Sequence, residues 1–205
     1  MKKLLLGSMF GLAVAFASSA ALAISIEFVP SSQSVAAGSP VDVAIRITGL
    51  GNLSAPSLGT FDLDVGFDPA ILSFSSVSYG DPALGDQLDL LGLGSLTATT
   101  PGVGSVNLFE LSLDLASDLD TLQAGDFTLA TLTFDTASAG ASALTITVNA
   151  LGDALGDPLT ASLGSGSINV PEPALLLLLG AGLAGALGSG RRGCAPDRGR
   201  GRRRS

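Results

Sequence analysis

Chemistry in this chain has to come from carboxylates. Between Ile24 and Val170 the 205-residue sequence sets sixteen acidic side chains against one basic side chain, Arg46, for a charge of −15. It contains no histidine, and its one cysteine, Cys194, lies well beyond that stretch. Losing histidine removes Ser-His-Asp and Cys-His hydrolase arrangements, histidine-bearing zinc sites and imidazole acid–base catalysis together. Two uses remain for the carboxylates. Asp114, Asp118 and Asp120, and likewise Asp81, Asp86 and Asp89, offer hard oxygen donors at short spacing, of the kind that hold calcium, although neither set has the glycine-containing spacing of an EF-hand loop. Two acids about 5 to 9.5 Å apart in a cleft would instead serve glycoside hydrolysis. Asp62 and Asp64 are the nearest such pair, but they alternate with Phe61, Leu63 and Val65 and so belong to the wet face of a strand. With no tryptophan, and Tyr79 as the sole tyrosine for stacking on a sugar, a glycosidase is poorly supplied. The expectation is no catalytic residue, no resident cofactor or metal, and calcium as a secondary option in acidic loops that are mainly solvated.

The elements that carry these acids read as β throughout. Ile24–Val29, Val41–Ile47 and Phe61–Phe67 alternate apolar and polar residues, the pattern of strands that cover a core on one face. Runs of the same kind follow at Ile71–Ser78, Ser105–Leu113, Phe127–Phe134, Leu144–Val148 and Ser162–Val170, punctuated by Gly, Pro and Asp. Phe61, Phe67, Phe74, Phe109, Phe127 and Phe134 fall on apolar phases and are expected in the core. Pro82–Leu96 lacks alternation, and Asp114–Leu122 suits one or two helical turns. The fold expected is all-β, an antiparallel β-sandwich over residues 24–170, long enough to bury a real core in one domain. Lacking cysteine, that domain must be held by packing alone. Its negative charge excludes nucleic acid as a partner, since no basic stripe exists to neutralise phosphates.

Both flanks read as targeting segments. Lys2 and Lys3, the apolar run Leu4–Ala17 and the small-x-small site Ala21-Leu22-Ala23 have the form of a signal peptide over residues 1–23, cut by signal peptidase before Ile24. Residues 171–205 hold Pro171-Glu172-Pro173, an uncharged run from Ala174 to Gly190, and an arginine-rich tail over 191–205 containing Arg191, Arg192, Arg198, Arg200, Arg202, Arg203 and Arg204. As a helix the run spans about 25 Å against a hydrocarbon core of roughly 30 Å, so it crosses a bilayer with local thinning or snorkelling of its arginines. The arginines stay on the cytoplasmic side as an anchor, which leaves Pro171 and everything before it outside. Pro171 and Pro173 keep the junction extended, where a membrane-embedded enzyme can reach it.

The order Val170-Pro171-Glu172-Pro173, short leucine- and glycine-rich span, arginine cluster resembles the PEP-CTERM sorting signal of Gram-negative bacteria. The resemblance implies recognition at Pro171, Glu172 and Pro173 by an exosortase, an integral-membrane cysteine-type protease or transpeptidase. It also implies a membrane-inserted precursor whose domain passes to the cell surface, outer envelope or exopolysaccharide matrix. The tail, running on through Cys194 to Ser205, is longer than that pattern usually needs.

A second resemblance covers the domain. Val35-Ala36-Ala37-Gly38-Ser39-Pro40-Val41-Asp42-Val43, then Thr60 to Phe74 with its Phe67-Asp68-Pro69 turn, then Gly125 to Phe134, Gly140 and Leu144–Val148 resemble a cohesin-type domain. That implies a nine-stranded jelly roll related to carbohydrate-binding modules and, in cellulosomes, a dockerin partner. The expected function is an exported, non-catalytic surface or matrix protein sorted by an exosortase. The alternative is a cohesin-like binding module for a protein partner or polysaccharide.

Overall fold

In the computed structural model the structure describes residues 23–172. The signal-peptide residue Ala21, Pro173, the apolar run 174–190 and the seven tail arginines lie outside the described residues. Among the described residues, no helix is long and apolar enough to cross a membrane.

Eleven strands and one short helix follow in the order β1 Ser25–Val29, β2 Ser32–Ser34, β3 Pro40–Thr48, β4 Leu58–Gly66, β5 Leu72–Tyr79, β6 Ser95–Gly102, β7 Ser105–Ser112, α1 Ala116–Leu122, β8 Phe127–Thr136, β9 Gly140–Asp153, β10 Ser162–Leu163 and β11 Gly166–Val170. They form two sheets, β10-β1-β3-β8-β5 and β2-β11-β9-β4-β7-β6. The expected nine strands become eleven because the first and last strands each break as they pass from one sheet to the other, the first at Pro30-Ser31. The sheets are also mixed, whereas purely antiparallel ones were expected. The two broken strands run side by side in the same direction, so β1 pairs parallel with β10 and β2 parallel with β11. Every other pairing is antiparallel.

Alternation builds the core. Val41, Val43, Ile45 and Ile47 of β3 and Phe61, Leu63 and Val65 of β4 point inward from opposite sheets and are at most 4 % exposed. Phe28, Phe127, Phe134, Ile146 and Ile168 complete a single cluster that begins at Ile24 and ends at Val170. Phe67 meets Phe134 edge-on at 5.1 Å. Truncating one such side chain to alanine costs about 2–5 kcal/mol through lost transfer energy and the cavity left behind. Gly166 sits where a Cβ would lie 2.9 Å from the Phe28 ring, so the last strand can cross there only as glycine.

Strand direction sorts the connections onto two ends. The entry end holds Ala23 and the long segments 49–57, 80–94, 113–126 and 154–161. The exit end holds Val170 and the short segments 35–39, 67–71, 103–104 and 137–139.

Candidate functional site

At the exit end, β11 pairs with β9 over its whole length, from Gly166 opposite Leu144 to Val170 opposite Gly140. Val170 is 1 % exposed, and the next residues, Pro171 and Glu172, are exposed. The change from core strand to exposed acidic junction thus happens within one peptide bond, with no linker. At the other terminus Ala23 is exposed and Ile24 is buried in the core. Both expected cleavage regions therefore abut the packed domain directly.

The outer face of the six-stranded sheet carries Asp62 and Asp64. Asn107 on β7 donates to Asp62 at 2.6 Å and to Asp64 at 2.9 Å, and Asn149 on β9 donates to the same two carboxylates at 3.1 and 3.0 Å. The amides of Asn149 and Asn107 hold Asp64 below its ordinary value. Two carboxylates held by two carboxamides form a fixed polar row on this face. The outer face of the five-stranded sheet is rich in hydroxyls. Ser73, Ser76 and Ser78 on β5 and Thr131 and Thr133 on β8 lie beside Asp42, to which Thr133 donates at 2.7 Å. Tyr79, expected as the candidate for sugar stacking, is instead half-buried against Phe61, with ring centroids 6.4 Å apart. Its hydroxyl donates to the Ala98 carbonyl at 2.7 Å and so ties edge strand β5 to edge strand β6 across the two sheets.

At the entry end, four of the six aspartates considered for calcium, Asp81, Asp86, Asp89 and Asp114, act as backbone caps. Asp81 Oδ1 accepts from the Ala83 and Leu84 amides at 2.8 and 3.0 Å, and its Oδ2 accepts from Thr128 at 2.9 Å. Although burial works the other way, these amides hold Asp81 below the usual carboxylate range. Asp86 caps Leu88, Asp89 caps Gly94, Asp114 receives the Leu90 amide at 2.7 Å, and Asp120 receives the Ser57 hydroxyl at 2.6 Å. Among the described residues, no three acidic or other metal-ligating side chains gather closely enough to hold an ion. Open clefts of about 460 and 470 Å³ lie at this end. The first is lined by Ala23, Ile24 and Pro158–Ser162, the second by Arg46, Asp126 and their neighbours, and neither brings two carboxylates together.

The alternation expected for β7 is shifted by one residue. Val106, Leu108 and Glu110 point inward, so Phe109 lies on the outer face and Glu110 occupies the core position opposite Phe61. Glu110 is 1 % exposed. Ser95 donates to its Oε1 at 2.6 Å, while Oε2 is buried with no donor. Burial, followed by the negative charges of Asp86 and Asp89, pushes Glu110 up to about 8 despite the Ser95 hydrogen bond, so at neutral pH it holds a proton next to Asp86. Fully buried Gln123 completes the end. It accepts from the Leu58 amide at 2.6 Å and donates to the carbonyls of Leu58 and Gln87 at 3.0 and 2.9 Å. Sequence reading passed over Glu110, Gln87 and Gln123. Glu110 shares a phase with Val106 and Leu108, but Phe109 and Leu111 make the other phase equally apolar, so the sequence alone does not single it out, and nothing in the sequence marks the two glutamines.

Residues 169–192 match the family model of the PEP-CTERM protein-sorting motif. The match opens on Asn169 and Val170, the last two residues of β11. No curated protein matches the chain in sequence. The fold is similar to solved cohesins. One is a non-cellulosomal cohesin from the hyperthermophilic archaeon Archaeoglobus fulgidus, with 16% identity over 77% of this chain and 97% of that one and a TM-score of 0.55. Another is the sixth cohesin of scaffoldin B from Acetivibrio cellulolyticus, solved with a Cel5 dockerin, with 18% identity over 72% and 99% and a TM-score of 0.57. A cohesin from a type I cohesin–dockerin complex of Clostridium thermocellum shows 14% identity over 78% and 100% and a TM-score of 0.58. The motif at 169–192 and the sandwich in front of it make this chain a PEP-CTERM protein with a cohesin-like fold.

Proposed function

We propose that this protein is an exported, non-catalytic surface or matrix component that an exosortase sorts by its C-terminal signal. The observation that carries the reading is the sorting motif beginning inside the last core strand. The exosortase must then work at an extended Pro171-Glu172-Pro173 junction held directly beneath a folded domain, and its product is the intact sandwich. The precursor sits in the inner membrane through residues 174–190, with the arginine tail inside, and signal peptidase removes residues 1–23. A non-catalytic role is supported by the absence of histidine and by the engagement of Asp62 and Asp64 with carboxamides and of Asp81, Asp86, Asp89 and Asp114 with backbone amides. Replacing Pro171, Glu172 and Pro173 by alanine is expected to leave the full-size precursor in the inner-membrane fraction. Cleavage at the parent rate would overturn the sorting role.

A second reading, a binding module for a protein partner or polysaccharide, draws support from the hydroxyl-rich outer face of the five-stranded sheet. That face carries Glu27, Asp42, Arg46 and Asp135 as its charges and offers side-chain donors and acceptors in rows. A glycan array and a pull-down with the processed protein separate the two. A saturable ligand of micromolar affinity favours the module, and silence in both favours a structural component.

A further inference from the structure

We infer that the entry end of the sandwich, the end away from the sorting segment, is a docking surface for a cationic amphipathic polypeptide segment, aliphatic on one side and rich in lysine or arginine on the other. Eight of the twelve large hydrophobic side chains exposed among the described residues are leucines in the connections of this end. Leu53, Leu84, Leu93 and Leu115 are each more than half exposed. Isolated exposed leucines are ordinary, whereas a concentration of them on one surface marks an interaction site. Leu53 donates its amide to the Gln123 carbonyl at 3.1 Å, Asp114 receives the Leu90 amide, and Gln123 donates to Gln87. The segments 49–57, 80–94 and 113–126 are thereby fixed to one another, and each presents exposed leucine at this end.

Charge identifies the occupant. The four connections of this end carry eight aspartates and no lysine or arginine. A second copy of the chain would bring the same charge to the same patch, and an anionic lipid or acidic polysaccharide would also be repelled at the contact distances inside the Debye length of about 8 Å. A segment with a leucine-like side and a basic side satisfies both features. Because Val170 leaves from the opposite end, the surface points away from the anchor.

The test uses the processed protein recovered from producing cells and a fluorescent leucine–lysine peptide of about five helical turns. The comparisons are a scrambled peptide of the same composition and a leucine–glutamate counterpart. The amphipathic cationic peptide is expected to bind at least about tenfold more tightly than the scrambled one. The Leu93→Ser/Leu115→Ser variant should lose that advantage, and Asp118→Asn should reduce the salt dependence. Both changes are on exposed or partly exposed positions, and an unchanged melting temperature verifies folding. Amide-exchange protection should fall on 80–94 and 113–126. Equal affinity for the two cationic peptides, protection confined to the sheet faces, or binding that ignores both variants would overturn the inference.

Discussion

The two ends of this sandwich are made from the same strands and do opposite things with their connections. At the exit end, segments as short as 103–104 turn the chain tightly, and the core runs unbroken to Val170 before Pro171 begins the sorting signal. At the entry end, longer segments are stitched by Gln87, Gln123 and capping aspartates into a cover that contains a buried acid and presents leucines to solvent. The difference shows where each end gets its stability. The exit end is closed mainly by apolar packing of strands, with buried Thr136 and Ser142 holding its turns, and the entry end by a larger polar network in which Glu110 Oε2 and Asp114 Oδ1 are left without a donor. The first should be insensitive to pH and costly to hollow out, and the second sensitive to pH and to loss of a single hydrogen-bonding side chain.

The largest effect is expected from hollowing the exit strand. Ile168→Ala removes a fully buried side chain from β11 and should cost about 2–5 kcal/mol, measured by denaturant unfolding. Because β11 leads straight into Pro171, the same change should loosen Val170 and raise amide exchange at 166–170. Gln123→Ala breaks the other end. It strands the amide and carbonyl of Leu58 and the carbonyl of Gln87, and about 3 kcal/mol is expected at roughly 1–3 kcal/mol per buried group, less whatever water recovers. Exchange should rise in 80–94 and 113–126 and leave β11 unaffected.

Glu110 sharpens the contrast through pH. Its folded value, about 8, lies above the ordinary value of 4.5, so between these pH values the folded chain keeps a proton that the unfolded chain has lost. Stability is therefore full below about 4.5 and falls as pH rises toward 8, by at most ~1.4 kcal/mol per pH unit from this group. Glu110→Gln keeps an acceptor for Ser95 and supplies a permanent donor toward Asp86. It should flatten that slope and leave the variant more stable than the parent at pH 8, and an unchanged slope would remove Glu110 from the account. The smallest effect concerns metal. Since Asp81, Asp86, Asp89 and Asp114 already cap backbone amides, adding calcium or a chelator should shift the melting temperature by no more than about 1 °C; a larger calcium-dependent rise would return these loops to metal binding.

Much of the architecture was legible because alternation is a physical consequence of a half-buried strand. β3 and β4 read directly from Val41–Ile47 and Phe61–Phe67, and α1 from the run around Asp114–Leu122. The edge strand β6 was not legible, because Ser95–Gly102 is exposed nearly throughout and has no core face to imprint a pattern. β7 misled for a different reason. Phe109 and Leu111 are as apolar as Val106 and Leu108, so both phases look buried, and only the pairing of Glu110 with Phe61 decides between them. The parallel pairs of β1 with β10 and β2 with β11 join residues more than a hundred positions apart and leave no local trace. The sorting signal was the reverse case. It was readable as a string of residue types, and so was its direct junction with the core, since the last alternating run ends at Val170 and the structure ends β11 there.

The central claim is that the chain is exported as a precursor and cut where the core ends. Intact-mass spectrometry of the protein recovered from outer-membrane, matrix and medium fractions tests it most directly. The account predicts a chain that starts at Ile24 and ends near Val170 or within Pro171-Glu172-Pro173, with any added mass identifying what the product was joined to. A mass that still contains the seven tail arginines would contradict it and place the protein's role at the inner membrane.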